Sequence, residues 1–307
     1  MLNLKASRFK IISFALLSMI FWSCSFVWVK IVYAHHYNPI MTIFLRLVIS
    51  SVILIVVVKL LKKGQKIEKA DYGKFALLAL FQPFFYFMGE SFGLTMVSST
   101  IAAVIVSTIP VITPLFAFLF IKEKISILNL FGLIISFAGV LLMVFNQDFS
   151  FDASPLGVCL EFFAVASAIA YAIVVKNLTH KYSSFTIIKT QNILGALYFM
   201  PLFFIFDFKQ FLSVPPDFDL VSSLLMLSVF ASSGAYLLYI PVVRELGINR
   251  ANMYTNFIPV FTALFSYIIL SETFNFNKIM GMLIVIAGIT LSQIYKLIKN
   301  NIINPQL

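Results

Sequence analysis

Four ionisable residues stand inside long apolar runs, where charge is costly: Lys30, Arg46, Glu90 and Glu161. A charge near the middle of a bilayer costs from ~3 kcal/mol upward, so each needs a partner or a task. At ~1.5 Å per helical residue, Arg46 and Glu161 each lie roughly 9 Å below one membrane surface. Glu90 falls in the same third of its run, and Lys30 lies near the end of its own. Two positive and two negative charges would then share one layer. Two chemistries are open. One is a structural network, such as Arg46 with Glu90, that fixes helix registry, while Lys30 extends outward to water. The other is binding: Arg46 or Lys30 holds an anionic group, and Glu90 takes up and releases a proton.

A second set of residues could open the backbone. PVITPLF begins at Pro110 and PVFTALF at Pro259. A proline inside a helix removes a donor and frees a carbonyl. Ser107, Thr108 and Thr113 accompany the first; Asn252, Tyr254, Asn256 and Thr262 accompany the second. Paired interruptions in two halves of a membrane chain mark either a binding region or a matched packing kink. The same 149-residue offset carries Glu123 to Glu272, Gly132 to Gly281 and Gly139 to Gly288. A repeat therefore underlies the pair. The glycines, with Ser136, form small-residue strips suited to close helix packing. Gly89 and Gly93 give a weaker strip in the third run.

The elements that position these residues follow from composition. Of 307 residues, 61% are hydrophobic and 11% charged, with a mean hydropathy of +1.00. A soluble surface cannot be covered with so few polar groups. The runs are continuous and about 20 residues long, as spanning helices require. Ten spans are expected, at roughly 11–33, 40–61, 75–95, 98–121, 127–145, 155–176, 186–206, 220–241, 249–270 and 278–298. The first is too long for the apolar core of a cleaved signal and reads as a retained span. Residues 1–150 and 151–307 form two five-span units. Because five is odd, the second unit runs inverted.

The net charge of +10 is asymmetric. Lys and Arg gather before span 1 (Lys5, Arg8, Lys10), in connection 2 (Lys62, Lys63, Lys66, Lys69, Lys74), and in connections 4, 6 and 8. Lys296 and Lys299 close span 10. Asp148, Asp152, Asp207, Asp217 and Asp219 collect on the other side. Basic loops stay cytoplasmic, so both termini are expected inside a bacterial cytoplasmic (inner) membrane. The partner of this charge is the anionic leaflet, with no nucleic acid implied. Cys24 and Cys159 read as buried free thiols. His35, His36 and His180 lie in connections, and no metal site or cofactor is expected.

FWSCSFVWVK (21–30), FLRL (44–47), residues 93–144 and the matching stretch 246–291 resemble the EamA-type ten-span members of the drug/metabolite transporter superfamily. The resemblance covers nearly the whole chain. It implies an all-α integral membrane protein: ten transmembrane helices from two inverted five-helix repeats around a central cavity, with spans 5 and 10 peripheral. It also implies a secondary transporter of a small metabolite, an amino acid or related compound, moved by alternating access. Export is the expected direction, and proton coupling is open. The family's span-1 aromatic and lysine correspond to Trp22 and Lys30, and its span-2 arginine to Arg46. Near where that arginine would repeat, this chain has Asn192. The candidate site is thus Trp22, Lys30, Arg46, Glu90, Thr108, Pro110, Glu161, Tyr254, Asn256 and Pro259, with Trp28, Tyr171 and Tyr236 as further aromatic walls.

Rival readings are a lipid flippase or an uptake carrier of the same architecture and, more distantly, an intramembrane enzyme. HExxH, GxSxG and GxxxxGK[ST] are all missing from the sequence, which argues against hydrolytic chemistry and direct use of ATP. A monomer or loose homodimer is expected, because one chain carries both repeats.

Overall fold

The computed structural model describes residues 2–121, 126–145 and 153–303. Lys122, Glu123, Lys124, Asp148, Asp152 and the 150/151 division lie outside the described residues. So do the side chains of Lys5, Arg8, Arg250, Lys296 and Lys299. Among the described residues ten apolar helical segments follow one another: α1 (Leu2–Ala34), α2 (Pro39–Leu60), α3 (Lys69–Leu94), α4 (Ser99–Ser107 and Ile109–Ile121), α5 (Ile127–Val144), α6 (Pro155–Thr179), α7 (Ser184–Ser213), α8 (Phe218–Gly247), then the shorter α9 (Tyr254–Leu270) and finally α10 (Phe276–Ile303).

The chain starts its spans with side chains that satisfy the first free amides. Ser98, Ser126, Ser154, Ser183 and Asp217 each accept a backbone N–H three residues on, opening α4, α5, α6, α7 and α8. Each such cap is worth about 1 kcal/mol. Pro39 and Pro155 occupy the first turns of α2 and α6, where a missing N–H costs nothing.

The inversion of the two halves is visible where α5 meets α10. A Cβ on Gly132 would lie 2.6 Å from the Gly288 carbonyl, and one on Gly139 would lie 2.7 Å from that of Gly281. In sequence Gly132 corresponds to Gly281 and Gly139 to Gly288, so the spatial pairs are crossed. Crossed pairing of equivalent residues is what a two-fold axis produces. The axis passes by Ser136, whose hydroxyl donates to the carbonyl of Val285, its own counterpart 149 residues on, at 3.4 Å. Asn129 locks the seam with bonds of 2.8 Å to both the carbonyl and the hydroxyl of Ser292. Ile127, Leu130, Phe131, Ile134 and Phe137 of α5, with Ile279 and Leu283 of α10, are exposed. The pair is thus peripheral, packed on itself and turned outward to lipid.

The weaker glycine strip also packs. A Cβ on Gly89 would reach the Leu160 carbonyl at 2.5 Å, so α3 and α6 run in close contact. Of the two cysteines, Cys24 is half-buried, whereas Cys159 is exposed rather than buried. A thiol on a helix flank can face lipid as readily as protein.

The interruptions lie elsewhere than the prolines alone suggested. α4 bends by 41° at Thr108, just ahead of Pro110, which becomes the second residue of the resumed helix. Pro259 is the third residue of the helix Phe257–Leu270, entered through a tighter turn over Asn252–Asn256. Both prolines sit in a first turn, where they remove no helical bond. Further breaks are in α3 and α8. α3 is interrupted at Gln82, extended at φ −146° and ψ 118°, because the residue before a proline is pushed out of the helical region. α8 widens over Leu227–Ala235 into turns closed five residues apart.

Polar clamps join connections at the two ends. At the basic end, Asp71 accepts from Lys74 (2.8 Å), Lys181 (2.6 Å) and the Tyr182 hydroxyl (2.8 Å), and Lys181 also reaches Glu68. Bonds to Asp71 and Glu68 raise the Lys181 pKa, so its charge persists throughout the neutral range. At the opposite end, Asp207 accepts from the Met41 amide (2.9 Å) and Asn38 (3.1 Å), and His35 meets Asp217 at 3.1 Å.

Candidate functional site

Between α1, α2, α3, α4, α6, α8 and α9 lies a cavity of ≈ 120 Å³. Its walls include Trp22, Phe87, Tyr171, Tyr236 and Tyr239, and its polar groups include Arg46, Gln82, Glu90, Asn252 and Thr255. An apolar, aromatic enclosure with a few convergent polar groups is the usual form of a small-molecule site.

Arg46 is 3% exposed. Its Nε donates to the Ser232 hydroxyl at 2.9 Å, and its guanidinium lies 4.4 Å over the Phe87 ring. Among the described residues neither terminal nitrogen has a protein partner, so the fork faces the cavity with its donors free. Ser232 can bond Arg46 because α8 is widened there, which turns the side chains of its Ser-Ser pair inward. The same segment is tied to α7. Asn192 donates to Ser50 at 2.6 Å and to the Ser232 carbonyl at 2.9 Å, while Ser50 meets Ser233 at 2.5 Å. Asn192, near where an arginine would repeat, thus holds the segment that carries Ser232, the partner of Arg46.

Glu90 is 5% exposed and accepts from the Tyr86 hydroxyl at 3.1 Å, one helical turn away. It interacts with Arg46 through space without forming an ion pair. The break at Gln82 turns that side chain toward α8, where its amide donates to the Tyr236 hydroxyl. Tyr239 donates to Asn252 at 2.6 Å, and Tyr171 to Gln191 at 3.0 Å. Trp22 meets Tyr236 and Tyr239 edge-on, with centroids 5.1 and 5.0 Å apart. The rings are therefore fixed by hydrogen bonds before anything enters, which lowers the ordering cost of binding.

Of the ten residues singled out from sequence, Trp22, Arg46 and Glu90 meet in this cavity. The other seven do not line it. Lys30 donates to the carbonyls of Leu94 (2.5 Å) and Val97 (2.7 Å), tying α1 to the α3–α4 turn. Glu161 is 0% exposed, with both oxygens unpartnered, in space that Gly93 leaves open: a Cβ there would come within 2.7 Å of it. Thr108 bonds back to Ile105 at 2.6 Å. Pro110 and Pro259 are buried behind the wall. Tyr254 packs among apolar neighbours, and Asn256 holds a buried, unpartnered carbonyl oxygen. The single charged layer therefore splits: Arg46 and Glu90 face the cavity, while Lys30 and Glu161 lie behind it. Gln82, Tyr86, Tyr239 and Thr255 are among the lining residues that the sequence did not single out. Gln82-Pro83 inside an apolar run was the signal available for the first of these.

The cavity runs from the Arg46–Glu90 level toward the basic end, past Val175, Thr179 and Val243. Beyond Arg46, in the other direction, Val29, Val32, Leu94, Val97 and Ile101 pack into a closed core. Ser99 bonding Phe26 (3.1 Å) and Tyr33 bonding Ser91 (3.1 Å) strengthen that closure.

The EamA-like transporter family domain matches twice, at residues 9–145 and 155–293. The chain belongs to the EamA-like transporter family. Among similar proteins, an "Uncharacterized transporter" of Archaeoglobus fulgidus is 27% identical over 274 residues, covering 89% of this chain and 95% of that one. "Uncharacterized transporter YetK" of Bacillus subtilis is 26% identical, covering 82% and 77%. "Uncharacterized transporter YoaV" of the same organism is 25% identical, covering 87% and 91%. A crystal structure superposes with a TM-score of 0.68 over 93% of this chain and 98% of that one; at 13% identity this likeness is one of fold. This EamA-family chain is thus a multi-pass membrane transporter of ten helices in two inverted repeats.

Proposed function

We propose that this transporter exports a small metabolite with an anionic group, an amino acid or a related compound, by alternating access. The observation that carries this is the pair of unpartnered terminal nitrogens of Arg46, presented to an aromatic cavity. A buried guanidinium with free, forked donors suits a carboxylate, which it can hold with two parallel bonds. Glu90 across the cavity is placed to meet a substrate ammonium, or to exchange a proton when the ammonium leaves. Trp22, Tyr236, Tyr239 and Phe87 would pack the remaining apolar body.

The basic end is cytoplasmic in this reading. Closure beyond Arg46, with the cavity reaching toward the basic end, then corresponds to a loading conformer. Opening to the other side would release the bonds of Lys30 to Leu94 and Val97 and the Asp207 clamp. Lys30 and Glu161 act as coupling groups behind the wall. The kinks at Thr108–Pro110 and at Tyr254–Asn256–Pro259 act as hinges. The units 1–150 and 151–307 move against each other within a monomer or loose dimer in the inner membrane.

The test is mass spectrometry of medium from cells expressing the protein, Arg46→Ala or Arg46→Lys, at equal membrane abundance. One metabolite class carrying an anionic group should accumulate outside with the unaltered protein and fall about 100-fold with Arg46→Ala, the scale of a lost charged bond. Arg46→Lys should recover part of it. Media that match an empty-vector control would overturn export and turn attention to uptake or lipid movement.

A further inference from the structure

A second site lies on the flank of the basic end, outside the central cavity. Lys59 and Lys62 at the end of α2 and Lys189 near the start of α7 converge on a cleft of ≈ 480 Å³. Its remaining lining is Ile55, Val58, Gly64 and Ile193. Some cations at this end have partners of their own. Lys74 and Lys181 are neutralised by Asp71 and Glu68, and Lys63 lies 5.0 Å from the Phe185 ring centroid. Lys59, Lys62 and Lys189 have no hydrogen-bond acceptor and no acidic partner among the described residues. Lys189 is also half-buried within a spanning helix, where an uncompensated charge is costly.

The apolar floor has a direction. Ile55 stands one turn before Lys59 on α2, and Ile193 one turn after Lys189 on α7, so both lie one turn deeper in the membrane. Cations at headgroup level above aliphatic side chains match a molecule with a phosphate at one end and hydrocarbon at the other. The rim is tight: a Cβ on Gly64 would come 2.9 Å from Val58 Cγ1, so the α2–α3 connection closes directly over the groove.

We infer that this cleft binds one anionic phospholipid, its phosphate among Lys59, Lys62 and Lys189 and an acyl chain along Ile55 and Ile193. Charge complementarity selects this occupant: three unpaired cations attract an anionic headgroup, and the aliphatic floor excludes a small hydrated anion. The bound lipid would supply the counter-charge the protein lacks there. It would also brace α2, which carries Arg46, against α7, which carries Asn192.

The test is native mass spectrometry of the purified full chain titrated with phosphatidylglycerol or phosphatidylcholine. One phosphatidylglycerol should bind in preference to phosphatidylcholine. Lys59→Gln/Lys62→Gln/Lys189→Gln should weaken it on the order of 100-fold, each basic residue contributing a factor of about 5. Lys59→Arg/Lys62→Arg/Lys189→Arg should keep it, which separates loss of charge from loss of fold. Lys63→Gln/Lys66→Gln/Lys69→Gln, at the same end but outside the cleft, should change it less than 3-fold. Equal losses in the two glutamine triples would overturn the site in favour of general attraction to the leaflet. Displacement of the lipid by millimolar inorganic phosphate would overturn it in favour of a small-anion site.

Discussion

The α5–α10 seam and the wall of the central cavity treat the same repeat in opposite ways. At the seam the two halves are used alike: Gly132 meets Gly288, Gly139 meets Gly281, and Ser136 faces its own counterpart Val285. At the cavity the halves share the shape and divide the chemistry. α3 and α8 are both interrupted at comparable depth. Yet the charges that face the cavity, Arg46 and Glu90, come from the first half alone. Asn192 stands near where an arginine would repeat, and α8 has no acid between Asp219 and Glu245. Packing between inverted units needs only small residues in register, so symmetry costs nothing there. A binding site for an asymmetric molecule needs a cation on one side and an anion on another, so symmetry must be broken.

The largest expected effect is at the seam. Gly139→Val puts side-chain atoms into the Gly281 carbonyl and should cost about 3 kcal/mol or more. Thermal unfolding in detergent, followed by size-exclusion, should show loss of monodisperse protein. Survival with an unchanged transition would mean the helices are less tightly opposed than described. Next is the cavity's asymmetry. In Arg46→Asn/Asn192→Arg the guanidinium moves to α7, while Glu90 and Phe87 stay where they were. Transport should remain about 100-fold down, as for Arg46→Ala, because about 3 kcal/mol of charged bonding is misplaced. Recovery in the exchanged protein would show that the halves are interchangeable at the site.

Glu90→Gln tests the second charge. Transport should fall about 10-fold and lose its dependence on external pH, since one charge-assisted bond is worth about 1.5 kcal/mol. An unchanged pH profile in counterflow assays would remove the proton from the mechanism. The smallest effect is at the aromatic wall. Tyr239→Phe keeps the ring against Trp22 and removes the bond to Asn252. A roughly 5-fold change in apparent affinity is expected, corresponding to about 1 kcal/mol.

Much of the scaffold was legible before any coordinates. Spans could be read because hydrocarbon requires continuous apolar helices. The small-residue strips could be read because glycines at one fixed offset have few other uses, but that the two strips meet each other came from the structure. The site was legible only in part. Arg46 and Glu90 were found through residue type and Trp22 through the family resemblance, whereas Lys30 and Glu161, equally conspicuous in sequence, lie behind the wall. Depth can be counted along a helix, but the direction a side chain faces depends on how the neighbouring helices are rotated. Gln82 was passed over because an uncharged amide raises no alarm in a hydropathy pattern. The widening at Leu227–Ala235 has no proline to announce it, and it carries Ser232, which accepts from Arg46.

The sequence by itself determined the number of spans, their inverted duplication and the small-residue strips on α5 and α10, because membrane solvation and close packing act on composition and spacing. Only the tertiary structure decided which charges share a cavity, toward which end it extends, and that three unpaired lysines from α2 and α7 meet over an aliphatic floor. Those outcomes depend on local breaks in α3 and α8 and on helix rotation, which is set by contacts between residues more than a hundred positions apart, such as Arg46 with Ser232 and Gln82 with Tyr236.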